Sequence, residues 1–286
     1  MKNETALQQS HALGTVEIRK NVELLVGLLG DPVAHTLSPA MQNAAFQALG
    51  AGYRYLAFRV RAEDFEHAME GLAALGAVGT NITVPHKERA FRWARRLDPS
   101  ASRTGAVNTV LFSEEGGTGY NTDVAGIRTA LAALSPRRDG ALILGAGGAA
   151  RAAVCAMQDE GFSHIAIMNR TRERAEKLQA QLFPAKSGKL PTCEILSFEE
   201  APSFTPDLLV NTTSLGMHNT PWPEELLDTI VSLAKGGVVL DLVYARGRET
   251  HLCDRAQRLA YRPSPVRKYC FIKERQPSSC SPEWPL

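Results

Sequence analysis

The stretch Leu142–Arg151, Leu-Ile-Leu-Gly-Ala-Gly-Gly-Ala-Ala-Arg, restricts the possible fold more than any other in the chain. An apolar run from Ala141 to Leu144 meets three glycines and continues in small, helix-favouring residues through Ala156. That order spells a buried strand, a tight turn and the start of a helix. The spacing Gly145-x-Gly147-x-x-Ala150 fits a dinucleotide fingerprint. Gly145 permits the turn, Gly147 lets the backbone approach a pyrophosphate, and Ala150 is small enough for helix to pack on strand. The free N–H groups of the first helical turn then face the phosphates. Such a turn also occurs in proteins that bind no nucleotide, so the motif needs support from the rest of the chain.

The chain has 286 residues, enough for two domains, and the glycine turn falls midway. Residues 1–21 are polar and aperiodic and read as a loose N-terminal extension. Leu24–Leu29 is a strand, Gly30-Asp31-Pro32 turns the chain, and a helix begins near Pro39 with Met41, Ala44, Ala45, Ala48 and Leu49 on its apolar face. Tyr53–Val60 and Gly79–Val84 read as strands, Phe65–Leu75 and Glu88–Leu97 as helices. This alternation predicts a parallel sheet flanked by helices. Downstream, a helix at Val124–Leu134 and a loop, Ser135–Gly140, lead into the strand before the glycine turn. Strands follow at His164–Met168, Leu208–Asn211 and Gly237–Leu242, a second such series. The expected class is therefore α/β, with two α/β domains, the second Rossmann-like.

Several function classes are disfavoured. A net charge of +2 gives no case for a nucleic-acid or acidic-membrane surface. No apolar run approaches spanning length, and the N-terminus lacks the apolar core of a signal peptide. Cys155, Cys193, Cys253, Cys270 and Cys280 form no CxxC pair, so no zinc site is suggested and no metal is expected. A cytoplasmic enzyme is the default expectation.

The end of the strand at His164–Met168 bears on which dinucleotide is used. An NAD site usually carries an acid there for the ribose hydroxyls. Here the run is Asn169-Arg170-Thr171-Arg172-Glu173-Arg174, with no acid before Glu173. Arginines match a 2′-phosphate in charge and in forked donors, so the run favours NADP, although a charged helix start is common in any protein. Lys87 follows a strand end in Asn81-Ile82-Thr83-Val84-Pro85-His86-Lys87. At the carboxyl edge of a parallel sheet it could move a proton; without further context it is an ordinary exposed lysine. His86 is its rival and reads as structural. Asp123 stands at a helix start, where an aspartate is most often a cap; it gains catalytic meaning only by facing Lys87. Thr36 and Ser38 are either turn and cap residues or hydroxyls for a polyol carboxylate.

Taken together the blocks resemble the shikimate dehydrogenase family. They are Gly30-Asp31-Pro32 with His35-Thr36-Leu37-Ser38-Pro39, Asn81–Lys87, Gly105–Thr109, Asn121-Thr122-Asp123, Gly145–Ala149, Asn169-Arg170-Thr171 and Asn211–Met217. Their order and spacing follow the family from about residue 24 to 260. The resemblance implies NADPH-dependent reversible reduction of 3-dehydroshikimate to shikimate, in chorismate and aromatic amino-acid biosynthesis. It implies a substrate-binding domain over residues 22–122 and a Rossmann NADP-binding domain over 123–261, with catalysis in the cleft. By the same resemblance Lys87 is the acid/base and Asp123 its partner. Thr36, Ser38, Thr83, Asn108 and Tyr244 would contact the substrate. Gly145, Ala146, Gly147, Gly148, Ala149, Asn169, Arg170, Thr171 and Arg174 would hold the cofactor, with Leu242 lining its nicotinamide end. Threonine at position 36 departs from the family's usual serine; it keeps the hydroxyl and adds a methyl. The partners implied are the small-molecule substrate and at most a second copy of the chain, as a homodimer; neither nucleic acid nor membrane is implied. The rival readings are an NAD-using quinate/shikimate dehydrogenase and a nucleotide-binding remnant.

Residues 262–286 depart from the family. They begin Arg-Pro-Ser-Pro-Val-Arg-Lys-Tyr-Cys-Phe-Ile-Lys-Glu-Arg, with Pro263, Pro282 and Pro285 among them, and show no amphipathic helix. The family instead has Leu-Leu-(Tyr/His)-Gln-Gly-Ala opening a helix that returns to the substrate domain, its glutamine on the substrate. That string is available in the neighbouring frame, taking the last base of each codon with the first two of the next. Tyr269–Cys270 gives Leu, Cys270–Phe271 Leu or Phe, and Phe271–Ile272 Tyr or His. Ile272–Lys273 allows Gln, Lys273–Glu274 gives Gly or Arg, and Glu274–Arg275 allows Ala. A one-base deletion between about Ala260 and Val266 is the expectation, with simple divergence as the alternative.

Overall fold

The computed structural model describes residues 23–184, 191–217, 220–244 and 249–259, and the backbone of 267–270. Two six-stranded sheets organise them. In the first, β1 (Leu24–Gly30) lies between β2 (Tyr53–Arg59) and β3 (Gly79–Ile82), and both pairings are parallel. The last five residues of β1, Val26 to Gly30, are buried, as expected of a parallel strand covered on both faces. Val26 and Leu28 point to one side, where Phe46 of α1 (Ser38–Ala48) covers them. Leu29 points to the other, with Phe65 and Met69 of α2 (Phe65–Ala74) and Ala90 of α3 (Lys87–Trp93). Period-two alternation along the strand produces this split.

The far half of this sheet differs from the plain parallel expectation. β5 (Thr109–Ser113) pairs antiparallel with β3 and with β6 (Gly116–Tyr120), and β4 (Arg96–Leu97) adds to β6. The helix expected over Glu88–Leu97 stops at Trp93 accordingly. β6 reads Gly-Gly-Thr-Gly-Tyr, which looks like a turn. It is a strand because its neighbours leave no room for side chains. A Cβ on Gly117 would lie 2.4 Å from the Trp93 ring, and one on Gly119 would lie 2.6 Å from Val107. Glycine here serves close packing, not turning. α4 (Pro99–Thr104) precedes β5, capped by Asp98, which accepts from the Ser100 N–H at 2.9 Å.

The second sheet is wholly parallel. Its strands are β7 (Gly140–Leu144), β8 (His164–Met168), β9 (Thr192–Leu196), β10 (Leu208–Asn211), β11 (Val238–Asp241) and β12 (Arg267–Cys270). Their order β12-β11-β10-β7-β8-β9 is that of a doubly wound dinucleotide fold. One face carries α5 (Asp123–Leu134), α6 (Gly148–Asp159) and α7 (Arg172–Leu182), packed on Ala141, Ile143, Ile165 and Ile167. The other carries α8 (Glu224–Leu233) and α9 (His251–Leu259), packed on Leu142, Leu144 and Leu209. α6 is buried without a break from Ala150 to Met157. Only small residues allow a helix to sit that close to its strand, which is why its run is rich in alanine.

Strand order reverses between β7 and β10, and ligands of such sheets bind in the crevice outside that point. No described helix is long and apolar enough to cross a membrane. Residues 1–21 and most of the tail, 262–286, fall outside the described residues; of the tail only the backbone of β12 is described.

Candidate active site

Loops at the carboxyl ends of parallel strands from both sheets meet at one place. Lys87 opens α3 just after β3, and Asp123 opens α5. The Lys87 Nζ donates to Asp123 Oδ2 at 2.5 Å, with the two side chains 14% and 22% exposed. The lysine thus faces the aspartate, the condition under which Asp123 is more than a cap. Asn108 holds the other carboxylate oxygen, its Nδ2 donating to Oδ1 at 2.8 Å and to Thr122 Oγ1 at 2.9 Å. Buried Asn121 fixes the approach: its Oδ1 accepts the Asp123 N–H at 3.2 Å, and its Nδ2 donates to Ala106 O at 3.0 Å. A half-buried ammonium held by a carboxylate that is itself oriented suits proton transfer at fixed geometry.

His86 is excluded as a rival. It is fully buried, its Nε2 lies 2.7 Å from Val60 O, and its ring stacks on Phe65 at 5.0 Å. The carbonyl only accepts, so Nε2 carries the hydrogen and the ring belongs to the core of the first sheet.

A second polar group forms after β1. Thr36 Oγ1 donates to Ser38 Oγ at 3.1 Å and accepts the Ser38 N–H at 3.2 Å. Tyr244, after β11 of the other sheet, reaches it: its hydroxyl is 3.5 Å from Thr36 Oγ1 and accepts from the Leu37 N–H at 3.4 Å. Thr83 lies beside Gly30, where a Cβ would stand 2.3 Å from its methyl. Its hydroxyl makes no hydrogen bond to another described residue.

At the glycine turn, Gly145 has φ +108° and donates its N–H to Met168 O at 2.8 Å. A Cβ there would lie 2.6 Å from Thr212 Oγ1, so the loops after β7 and β10 meet in the crevice. Gly147 is extended, faces open space and caps α6 with no side chain, leaving the first N–H groups of the helix without side-chain partners. Ala150 is fully buried, as helix-on-strand packing demands. At the end of β8, Asn169 Nδ2 donates to Thr171 O at 2.7 Å, which shapes the loop. Arg170, Thr171 and Arg174 are exposed. Arg172 is paired with Glu176 at 3.2 Å, whereas Arg170 and Arg174 have no acidic partner among the described residues.

Comparison with known proteins names this arrangement. Residues 28–110 match the profile of the shikimate dehydrogenase substrate binding domain, and residues 130–200 that of shikimate / quinate 5-dehydrogenase. The chain belongs to the shikimate dehydrogenase family. It is 45% identical to the shikimate dehydrogenase (NADP(+)) of Methanosarcina acetivorans, covering 76% of this chain and 78% of that one. The Methanopyrus kandleri enzyme of the same name is 42% identical, covering 87% and 86%. Among solved structures, Thermus thermophilus shikimate 5-dehydrogenase in complex with NADP(H) and shikimate is 33% identical, with a TM-score of 0.68, covering 86% of each chain.

Against that family setting, the cofactor residues fit a dinucleotide phosphate. The uncapped helix start and the open face of Gly147 would take the pyrophosphate, and Arg170 and Arg174, which have no acidic partner among the described residues, a further phosphate. Leu242 is part-buried against the α5–α6 side of the core, and its N–H donates to Asn211 O at 3.1 Å. Beside it, Asp241 is fully buried and accepts from Asn211 Nδ2 at 2.9 Å, the Val243 N–H at 3.0 Å and the Thr250 hydroxyl at 2.7 Å. Burial pushes this carboxyl up to about 6, against the pull of those three donors. The knot ties the loops after β10 and β11 together beneath the crevice.

Two features were not assigned from sequence. Gly148 presses on the loop that carries Lys87: a Cβ on it would lie 2.9 Å from Lys87 Cβ. Tyr55 and Asn81 form a part-buried polar pair, the tyrosine donating to Asn81 Oδ1 at 2.7 Å. Asn81 stood in the quoted block Asn81–Lys87; Tyr55 carried no signal beyond its place in a strand.

Proposed function

We propose that this chain catalyses the NADPH-dependent, reversible reduction of 3-dehydroshikimate to shikimate with Lys87 as acid/base and Asp123 as its partner. The observation that carries the reading is the 2.5 Å Lys87–Asp123 pair, set where the glycine turn of one sheet touches the catalytic loop of the other. Residues 22–122 take the substrate and 123–261 the cofactor, in the cytoplasm. Thr36, Ser38, Thr83, Asn108 and Tyr244 contact the substrate. Homodimerisation is the one assembly this reading allows; the edge strand β2, which pairs with β1 alone among the described residues and has Leu56 43% exposed, supports it.

When bound, NADPH supplies the hydride that goes to the ketone carbon. The carbonyl oxygen then gathers negative charge. Lys87 gives it a proton, and its cation stabilises the charge until the proton moves. Asp123 keeps the ammonium aimed; Asn108 keeps Asp123 from rotating. In the oxidising direction the same amine takes the proton back.

Cofactor choice tests the second half of the reading. Replacing both Arg170 and Arg174 with alanine is expected to raise KM for NADP+ about thirtyfold and leave KM for NAD+ within about twofold, because charge-assisted bonds to a 2′-phosphate are lost. An unchanged NADP+/NAD+ preference would remove these arginines from the site. Shikimate and quinate are compared in the same assay, which separates the quinate-using rival.

The tail is read as a frame change. The coding sequence checks it directly: beyond codons 260 to 266 the neighbouring frame should encode the glutamine-containing string. With that string restored, kcat/KM for shikimate is expected to rise, since its glutamine and helix complete the substrate side. Absence of the string from that frame makes the tail true divergence.

A further inference from the structure

Tyr55 sits on β2, 4% exposed, with its ring among Val26, Leu28 and Phe46. Its hydroxyl donates to Asn81 Oδ1 at 2.7 Å, and the Ser38 hydroxyl is its polar neighbour on the other side. Burial pushes the phenol well above its ordinary range, against the pull of Ser38, so the hydroxyl keeps its hydrogen at working pH.

From Asn81 the hydrogen bonds run on in one sense. Asn81 Nδ2 donates to Thr109 Oγ1 at 3.0 Å, and Thr109 Oγ1 to Asn108 Oδ1 at 3.0 Å. Asn108 Nδ2 donates to Asp123 Oδ1 at 2.8 Å, and the other carboxylate oxygen takes Lys87. Upstream, Tyr244 donates to Thr36 at 3.5 Å and Thr36 to Ser38 at 3.1 Å. A hydroxyl has a single hydrogen to give, and an ionised carboxylate gives none. The path therefore has a direction, from Tyr244 to Asp123. Tyr55, its hydrogen committed to Asn81, is left to accept from Ser38.

We propose that Tyr55 is a positioning residue of the reaction, whose hydroxyl joins the Thr36–Ser38 hydroxyls to Asn81, Thr109, Asn108 and the Asp123–Lys87 pair. This rests on the reading above that Thr36, Ser38 and Asn108 face the substrate and Lys87 the reacting oxygen. Without the phenol oxygen, Ser38 loses its acceptor and Asn81 Oδ1 its donor. A turned Asn81 amide no longer donates to Thr109, and the disturbance passes to Asn108 and Asp123. Ligand affinity and turnover are both touched, although Tyr55 itself is buried.

The test is steady-state oxidation of shikimate with NADP+ on the full chain, for the unmodified protein, Tyr55→Phe, Thr109→Val and the double variant. NADP+ affinity is measured by fluorescence and stability by thermal unfolding. Tyr55→Phe is expected to raise KM for shikimate about tenfold and to lower kcat several-fold, the loss that goes with about one stranded buried partner. NADP+ affinity should hold, and the double variant should be no worse than the poorer single one, because one path is cut twice. Multiplying effects in the double variant, or KM and kcat for Tyr55→Phe within about twofold of the unmodified protein, overturn the proposal. If Tyr55→Phe does not fold, Thr109→Val carries the test alone, with the same rise in KM expected and its absence decisive against. An unmodified chain that neither binds nor oxidises shikimate fails the underlying reading first, before any variant is compared.

Discussion

Replacing Lys87 with methionine is expected to lower kcat for shikimate oxidation by about a thousandfold to ten-thousandfold, with NADP+ affinity within about twofold. Methionine fills the space of the lysine stem, so the packing against Gly148 stays as it is. In the proposed reaction what goes is the proton carrier and the cation together, and these serve one oxygen at one moment. Proton transfer by a placed group contributes about a hundredfold to ten-thousandfold by itself. Asp123→Asn should cost less, about a hundredfold, because the amine remains and loses its orientation and its counter-charge. The fold should survive both changes. Lys87 and Asp123 lie outside the four apolar clusters of the core, and Asp123 keeps its bond from Asn108 when the lysine is gone. Rapid-mixing and steady-state measurements on the two variants check the prediction. A Lys87→Met enzyme within tenfold of the original would move the proton step to another group, and His86, sealed against Phe65 and Val60, is not available for it.

The sequence carried the parts of this site that depend on neighbours in the chain. Continuous apolar runs at Leu24–Leu29 and Ala141–Leu144 give strands because a parallel strand is covered on both faces and needs no polar side. Gly145 and Ala150 could be assigned from spacing alone, since a turn with positive φ and a helix start packed on a strand each admit few residues. Lys87 and Asp123 were each ambiguous in isolation. Their meaning lies in a distance between residues thirty-six apart in sequence, and no local pattern encodes it. Tyr55 shows the same limit more strongly. Its alternation in β2 marks it as a core residue, which its ring is, while the hydroxyl serves partners on α1 and β3. β6 was illegible for the opposite reason: its glycines signal a turn locally, and only the approach of Trp93 and Val107 makes them strand residues.

Gly148→Ala is expected to lower kcat about a hundredfold, leave NADP+ affinity within about threefold and leave thermal stability unchanged or slightly raised. Gly148 is the first residue of α6 and has no positive φ, so alanine suits its backbone better than glycine does. Its N–H, one of those open to a phosphate, is kept. The obstacle lies across the cleft, where the new Cβ would stand 2.9 Å from Lys87 Cβ and 3.0 Å from its Cδ. The lysine tip could swing away, but Lys87 Cβ is fixed to the backbone of α3. Either the loop that carries Lys87 shifts or the two domains part, and a misplacement of about 1 Å at a reacting group costs on the order of a hundredfold. Gly145→Ala should fail differently. Its φ of +108° and the 2.6 Å approach to Thr212 Oγ1 make it a lesion of the turn itself, with loss of both cofactor binding and stability. The two variants together decide what the third glycine is for. If Gly148→Ala loses NADP+ affinity in proportion to kcat, the residue serves the phosphate alone. If turnover falls while binding holds, the cofactor turn also sets the reach of the proton donor, and one helix start places both halves of the reaction.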